Sequence, residues 1–289
     1  MLIRDMLGTG RVTVSCELFP PKQDGDLPQA EEIVRKTAAL NPDFISVTYG
    51  ASGGTSKNTI RMAEYVEQCG GQALAHLTCA SSTREEIGAL VDKLYERGIR
   101  NVLALRGDIP AGAGFPATQQ YSYASELVHE IRTRGDFCIG GACYPDGHTE
   151  SSGQAEDIRH LKEKVDAGCD FLTTQMFFDN NVLYRFLYRI RDIGITVPVL
   201  AGIMPVTNKK QITRIVQLSG TSLPPRFLSI LDKFGDNPAA MQQAGVAYAT
   251  EQIIDLIANG VRGIHIYTMN KPEIAASIMR NISDIVKVG

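Results

Sequence analysis

The sequence predicts an α/β chain folded as a closed (β/α)8 barrel. Three observations point there. Short β-rich apolar runs recur eight times, amphipathic helical patterns separate them, and the spacing between runs is around thirty residues, longer before the last. Eight such units in 289 residues suit a barrel, for which about 250 residues is typical. A doubly wound open sheet is the alternative packing of the same units.

The eight runs are Val12–Phe19, Phe44–Tyr49, Ala73–Cys79, Asn101–Gly107, Cys138–Tyr144, Phe171–Phe177, Val197–Met204 and Gly263–Thr268. Each is almost continuously apolar, as a parallel sheet covered on both faces requires. The helical patterns carry their own punctuation. In STREEIGALVDKLYERGIR (82–100), Ser82 or Thr83 can cap, and Glu85 and Glu86 suit the positive start. Ile87, Leu90, Val91 and Leu94 form one face, and Gly98 is the stop. The segment SGQAEDIRHLKEKVDAGCD (152–170) repeats the design with Gly168 as its stop. Residues 220–243 read as a helical insertion before the last strand.

Composition narrows the class. Hydrophobic residues make up 44% and charged residues 21%, which describes a soluble globular chain with a substantial core. A net charge of −3 and a pI near 6.0 argue against a nucleic-acid partner. The start MLIRDMLGTGRV is too short and too charged for a signal peptide. The uncharged run Gly194–Asn208 holds two prolines and is too short to span a bilayer, so no membrane partner is expected. Cys16, Cys69, Cys79, Cys138, Cys143 and Cys169 form no C-x-x-C pair and read as small hydrophobes in a reducing cytoplasm.

Barrel enzymes place their chemistry at the carboxyl ends of the strands. The polar residues there are Glu17, Thr48, Tyr49, His76, Thr78, Arg106, Asp108, Tyr144, Gln175 and Tyr267, with Asn270 and Lys271 just beyond. Glu17 is the sharpest of them. An apolar strand penalises a bare carboxylate, so the group must find a partner or a task. No lysine lies in a strand run, which argues against a Schiff-base aldolase. His76, His129, His148, His160 and His265 form no metal-binding pair and no cluster with carboxylates along the sequence, so no metal is expected. GAGFPA (112–117) matches a dinucleotide fingerprint on paper. It does not open from a strand, and Pro116 removes a needed N–H, so it reads as a loop. Carboxyl groups, an arginine, amides and aromatics around one cavity suit acid–base work on a flat heterocycle. In LALRGD, Arg106 can serve a phosphate or pair with a carboxylate, and Gly107 permits close backbone approach.

The stretches CELFPPK, SVTYGA, HLTC, LALRGD, CYPDGH, LKEKVDAG, TQMFFD, GIMPVTN and HIYTMNK occur in that order. Together they resemble methylenetetrahydrofolate reductase of the bacterial type, over roughly Val12 to Ile278. The resemblance implies one catalytic barrel domain over 1–289 that binds FAD, without the long regulatory domain of some relatives. It implies reduction of 5,10-methylenetetrahydrofolate to 5-methyltetrahydrofolate by a ping-pong route through FAD, with NAD(P)H as donor.

Glu17 resembles the family's general acid, which protonates N10 of the folate, and Asp108 its carboxylate near flavin and pterin. Gln175, Gln211 and Lys271 match folate-contacting positions, beside Glu17 and Asp108. The flavin positions carried over are Tyr49, Ala51, His76, Arg106, Gly107 and Asp108. Tyr123, Ala124, Tyr144, His148, Asp157 and Lys164 complete that set, with Lys164 as a cation near the phosphates. Thr48 matches a position near the nicotinamide.

Three residues depart from the family pattern. Glu163 stands in place of Arg, Lys271 in place of Arg, and Ile215 where some members have an aromatic. The family also implies a homo-oligomer. Two other readings keep the fold: a pterin-binding methyltransferase domain without flavin, and a subunit fed electrons by a partner protein.

Overall fold

The computed structural model describes residues 1–49, 56–108 and 120–288. Eight parallel strands close on themselves in chain order: β1 (Thr13–Leu18), β2 (Phe44–Val47), β3 (Ala73–Thr78), β4 (Asn101–Leu105), β5 (Cys138–Cys143), β6 (Phe171–Thr174), β7 (Val199–Ile203) and β8 (Gly263–Tyr267). All eight expected runs are strands, and the barrel rather than the open sheet is the outcome. The ladders stop one to three residues before most of the expected carboxyl ends. Of the residues beyond them, Thr48, Tyr49, Arg106, Tyr144 and Gln175 reach the hollow at that end.

The helices are α1 (Ile3–Leu7), α2 (Leu27–Ala38), α3 (Ser56–Gln68), α4 (Arg84–Glu96), α5 (Ala124–Thr133), α6 (Gln154–Asp166), α7 (Asn180–Asp192), α8 (Lys209–Ser219), α9 (Pro225–Phe234), α10 (Pro238–Ala258) and α11 (Pro272–Asn281). Thr83 caps α4 in a reciprocal box with Glu86, as the sequence indicates. Ile87, Val91 and Leu94 face the strands. Helices α4 and α6 end just before Gly98 and Gly168.

Two layers of apolar packing hold the barrel. Outside, strand residues such as Val102 and Ala201 meet the buried helix faces. Inside, Phe44, Leu74, Leu103, Cys138, Phe171 and Leu200 fill the amino-terminal half, and Ile3 of α1 packs onto them. Helix α1 thus covers the bottom. Its Ile3 N–H donates to Asn101 Oδ1 at 2.9 Å, and Arg4 pairs with Asp136 at 2.7 Å. Stoppering this end leaves the carboxyl end as the open face.

The 220–243 stretch is helical, as expected, in α9 and the start of α10. Phe227 stacks on Phe178 at 5.1 Å, and Tyr248 donates to Phe178 O at 2.6 Å. The insertion therefore packs against the chain just after β6. Among the described residues, no helix is long and apolar enough to cross a membrane. All six cysteines are unpaired. Ala51 and the 112–117 loop lie outside the described residues.

Helix α10 approaches the chain after β7 closely enough that a Cβ at Gly245 would overlap the Val206 carbonyl oxygen. Gly245→Ala is expected to lower unfolding free energy by about 1–3 kcal/mol or more in urea titrations. Gly25→Ala, where a Cβ meets nothing within 4 Å, serves as the control. Equal midpoints for the two variants would contradict this packing.

Candidate active site

A cavity of about 1070 Å³ opens at the carboxyl ends of the strands. It is slightly above the ~300–1,000 Å³ typical of cofactor and ligand sites. Glu17, Thr48, Tyr49, His76, Arg106, Gly107 and Asp108 line it. So do Tyr123, Ala124, Tyr144, His148, Asp157, Lys164 and Gln175. The resemblance drew these residues from eight separate stretches, and the fold brings them to one hollow.

The deep end is built by barrel closure. Strand β1 pairs with β8 in the register Ser15↔His265 and Glu17↔Tyr267. Glu17 is 7% exposed, and its Oε2 lies 3.5 Å from His265 Nε2 and 3.7 Å from His76 Nε2. Along the sequence the histidines form no cluster with carboxylates, but in space two of them flank Glu17. The reason for the His265 contact is topological: closure joins the first strand to the last; among the described residues no group forms that could hold a metal ion.

His265 Nδ1 is 2.8 Å from Ser15 Oγ, which also reaches Ile264 O at 3.2 Å. The serine has one proton to give. If it goes to Ile264 O, His265 donates from Nδ1; if it goes to Nδ1, that nitrogen accepts and His265 presents Nε2–H toward Glu17. His76 is hydrogen-bonded to Ser46 Oγ. Burial pushes its imidazole down to about 4, against the opposing pull of Glu17, so it is neutral at pH 7.

The outer part is charged. Arg106 forms a bidentate pair with Glu150 at 2.7 and 2.8 Å, answering the sequence's two options with the carboxylate. The guanidinium's hydrogen bond holds the Glu150 carboxyl below its ordinary range. Gly107 follows with φ +86, and a Cβ there would crowd Thr78. Asp108 is exposed on the cavity wall.

Tyr144 packs edge-on against His148 at 4.6 Å, and burial pushes its phenol up to about 12. Burial lowers His148, and its Nδ1 accepts from Glu150 N at 3.1 Å. Tyr123 stacks on His160 at 5.2 Å, and His160 Nδ1 reaches Glu163 at 3.0 Å. Lys164 reaches in from α6 rather than from a strand. Its Nζ donates to Ala142 O at 2.5 Å, and desolvation lowers its pKa. Among the described residues, no carboxylate lies within ion-pairing distance of it. Burial raises the nearby Asp157 carboxyl.

Thr48 O accepts from Thr59 Oγ1 at 2.9 Å. Gln175 N–H donates to Cys143 O at 2.7 Å, which sets its side chain at the cavity wall. Gln211 and Lys271 do not line the cavity. Gln211 N–H donates to its cap Asn208, and Lys271 donates to Thr207 Oγ1 at 3.0 Å. Gln211 sits in the first turn of α8, after β7, and Lys271 at the start of α11, after β8. Ser15, Ser46 and His265 were missed by sequence reasoning. The period of two in β1 does put Ser15 on the Glu17 face, which is the one signal available.

The family model described as methylenetetrahydrofolate reductase matches residues 2–283. The 5,10-methylenetetrahydrofolate reductase of Escherichia coli K12 is 33% identical over 274 residues, 94% of this chain and 91% of that protein. The protein of that name from Pectobacterium carotovorum is 34% identical over 274 residues, with the same coverage. Methylenetetrahydrofolate reductase (NADH) 1 of Zea mays is 34% identical over 295 residues, 97% of this chain but 50% of that protein. The chain thus spans about half the length of such plant relatives. Among solved structures, an uncharacterized protein from Clostridium thermocellum superposes with a TM-score of 0.67 at 17% identity over both whole chains, a likeness of fold alone. That protein is described as binding two copies of 5-methyl-5,6,7,8-tetrahydrofolic acid.

The buried His76 generates a pH dependence. Its value near 4 when folded, against 6.5 otherwise, means the unfolded chain binds more protons between those pH values. Its contribution to stability is present above pH 6.5 and is lost as pH falls toward 4. Between pH 7 and 4.5, urea unfolding should show a loss from this group of about 2–3 kcal/mol. His76→Asn should shrink the loss by that amount; an identical loss in both proteins would refute the assignment.

Proposed function

The chain belongs to the methylenetetrahydrofolate reductase family, and we propose that it reduces 5,10-methylenetetrahydrofolate to 5-methyltetrahydrofolate, with FAD as the intermediate carrier. One observation carries the reading. A buried carboxyl group, Glu17, sits between two imidazoles on the floor of a cavity large enough for a fused-ring ligand. Opening the five-membered ring of the substrate leaves N10 as an amine, and that step needs a proton. Glu17 supplies it, and His265 with Ser15 replaces it.

The residues present fit the cofactor. Lys164 offers a desolvated ammonium with no carboxylate partner among the described residues, a costly arrangement that a phosphate would relieve. Tyr144, His148 and Tyr123 add aromatic surface beside it. FAD, when bound, supplies a hydride acceptor and donor that no side chain offers. Asp108 and Gln175 pair with the amino-pyrimidine edge of the pterin, one as acceptor and one as both donor and acceptor. Thr48 lies on the wall the nicotinamide faces.

NADH is the proposed donor. Glu86, Glu150, Glu156 and Glu163 all line the cavity, and Arg106 is engaged by one of them. An extra 2′-phosphate would meet like charge there. The NADH in the names of plant relatives agrees.

Anaerobic absorbance titration of the purified chain tests this. The expected protein is yellow, bleaches with NADH more readily than with NADPH, and regains colour with methylenetetrahydrofolate. Glu17→Gln should still bleach with NADH, while its folate step slows by about 10²–10⁴-fold. Equal losses in both half-reactions would remove Glu17 from the proton transfer. A colourless protein that binds methyltetrahydrofolate would favour the methyltransferase reading instead.

A further inference from the structure

We propose that Tyr267 is a positioning residue for the folate step, a clamp that holds the exit of β6, and so Gln175, in fixed relation to the Glu17–His265 pair. The inference rests on the proposed reading of the cavity and adds a residue to it.

Three contacts define the clamp. Tyr267 ends β8, and its hydroxyl donates to Thr174 O at 2.6 Å. Thr174 is the last residue of β6, directly before Gln175. Strands β6 and β8 are not neighbours, because β7 lies between them. The bond therefore crosses a whole strand. It can do so because Gly202 of β7 has no side chain. A Cβ there would lie 2.7 Å from both the ring and the hydroxyl of Tyr267, and would overlap Thr174 O. Gly202 is itself tied to β6, since its N–H donates to Thr174 Oγ1 at 2.8 Å.

The other edge of the phenol faces the acid. Tyr267 meets His265 edge to face at 5.2 Å, and pairs with Glu17 in the β1–β8 register. Thr268, the next residue, donates to Glu17 O at 2.6 Å. One side chain thus touches the histidine that faces Glu17 and the peptide that presents Gln175. Burial pushes the phenol well above its ordinary pKa, so it remains a hydrogen-bond donor across the working range.

The consequence is a division between two steps. Transfer of a proton to N10 needs Glu17 and the pterin edge in register, so it needs the clamp. Reduction by NADH uses neither. A filler role would instead affect stability and both half-reactions alike.

Tyr267→Phe keeps the ring and removes the cross-strand bond. Its melting temperature should fall by only the few degrees that one lost buried hydrogen bond costs, and its rate of bleaching by NADH should change less than about twofold. Its Kd for 5-methyltetrahydrofolate, read from the flavin spectrum, should rise by roughly 5- to 100-fold, the effect of a lost buried hydrogen bond. The pH profile of the folate step should shift as well. Gly202→Ala, which crowds the same ring, should reproduce the weakened folate binding. Unchanged folate affinity and pH profile in Tyr267→Phe, with a parent that binds folate and bleaches with NADH, would overturn the clamp alone. So would an equal loss in both half-reactions. A parent chain that neither binds flavin nor methyltetrahydrofolate would overturn the reading of the cavity, and the clamp with it.

Discussion

Closure of β1 onto β8 is the constraint on which the site depends. The register Ser15↔His265 and Glu17↔Tyr267 puts residues about 250 positions apart within hydrogen-bond reach. A carboxyl group isolated at that depth would cost several kcal/mol, roughly, without compensation. Here His265 and His76 flank it, and Ser15 and Ser46 fix the rings from behind. Slipping the pairing by one residue would turn Ser15 and Glu17 outward, into the helix layer. The apolar residues that alternate with them, Val14 and Cys16, pack in that outer layer and oppose the slip.

Charge is arranged by depth. At the floor are one carboxyl group and neutral imidazole, where low polarity strengthens each hydrogen bond. Toward the mouth stand the ionised pairs, such as Arg106 with Glu150, half-open to solvent. A pair so exposed contributes about 0–1 kcal/mol, so it is easily rearranged when an anion arrives. Lys164 is the intermediate case, anchored by a carbonyl and without a carboxylate partner among the described residues. The gradient separates proton chemistry at the floor from ion recognition at the rim.

Most of the fold was legible in the sequence, because a strand buried on both faces must be apolar along its whole length. Glu17 was legible for the same reason: a carboxyl group breaks such a run visibly. Its partners were not. His265 looks like an ordinary strand histidine until β8 is known to pair with β1, and pairing is a property of closure rather than of any local pattern. Lys164 was placed near the site by resemblance, but the helical period of α6 alone shows only a polar residue. Its long stem carries the ammonium to Ala142, and stem length is invisible to a periodicity argument. The strand ends were overextended because the apolar runs continue past the ladders. At Met176 and Phe177 the apolar side chains pack under the helices that follow β6 and not within the sheet.

The residues of the cavity differ in how firmly the chain holds them, and the difference matches the work each would do. Glu17, His76, His265 and Tyr267 stand on strands: Glu17 and His265 are paired on both sides, His76 is paired with Leu103 and Tyr267 with Glu17. Proton transfer tolerates errors of only a few tenths of an ångström, and ladder geometry supplies that tolerance. Asp108, Tyr123 and Glu150 stand on connections and are more exposed. Contacts to extended, charged groups tolerate more slack and benefit from side chains that can adjust. A barrel offers both kinds of site around one opening, since its strands end where its loops begin. The chain exploits that boundary: its apolar strands are interrupted by a carboxyl group only at Glu17, and its other cavity carboxylates lie beyond the strand ends.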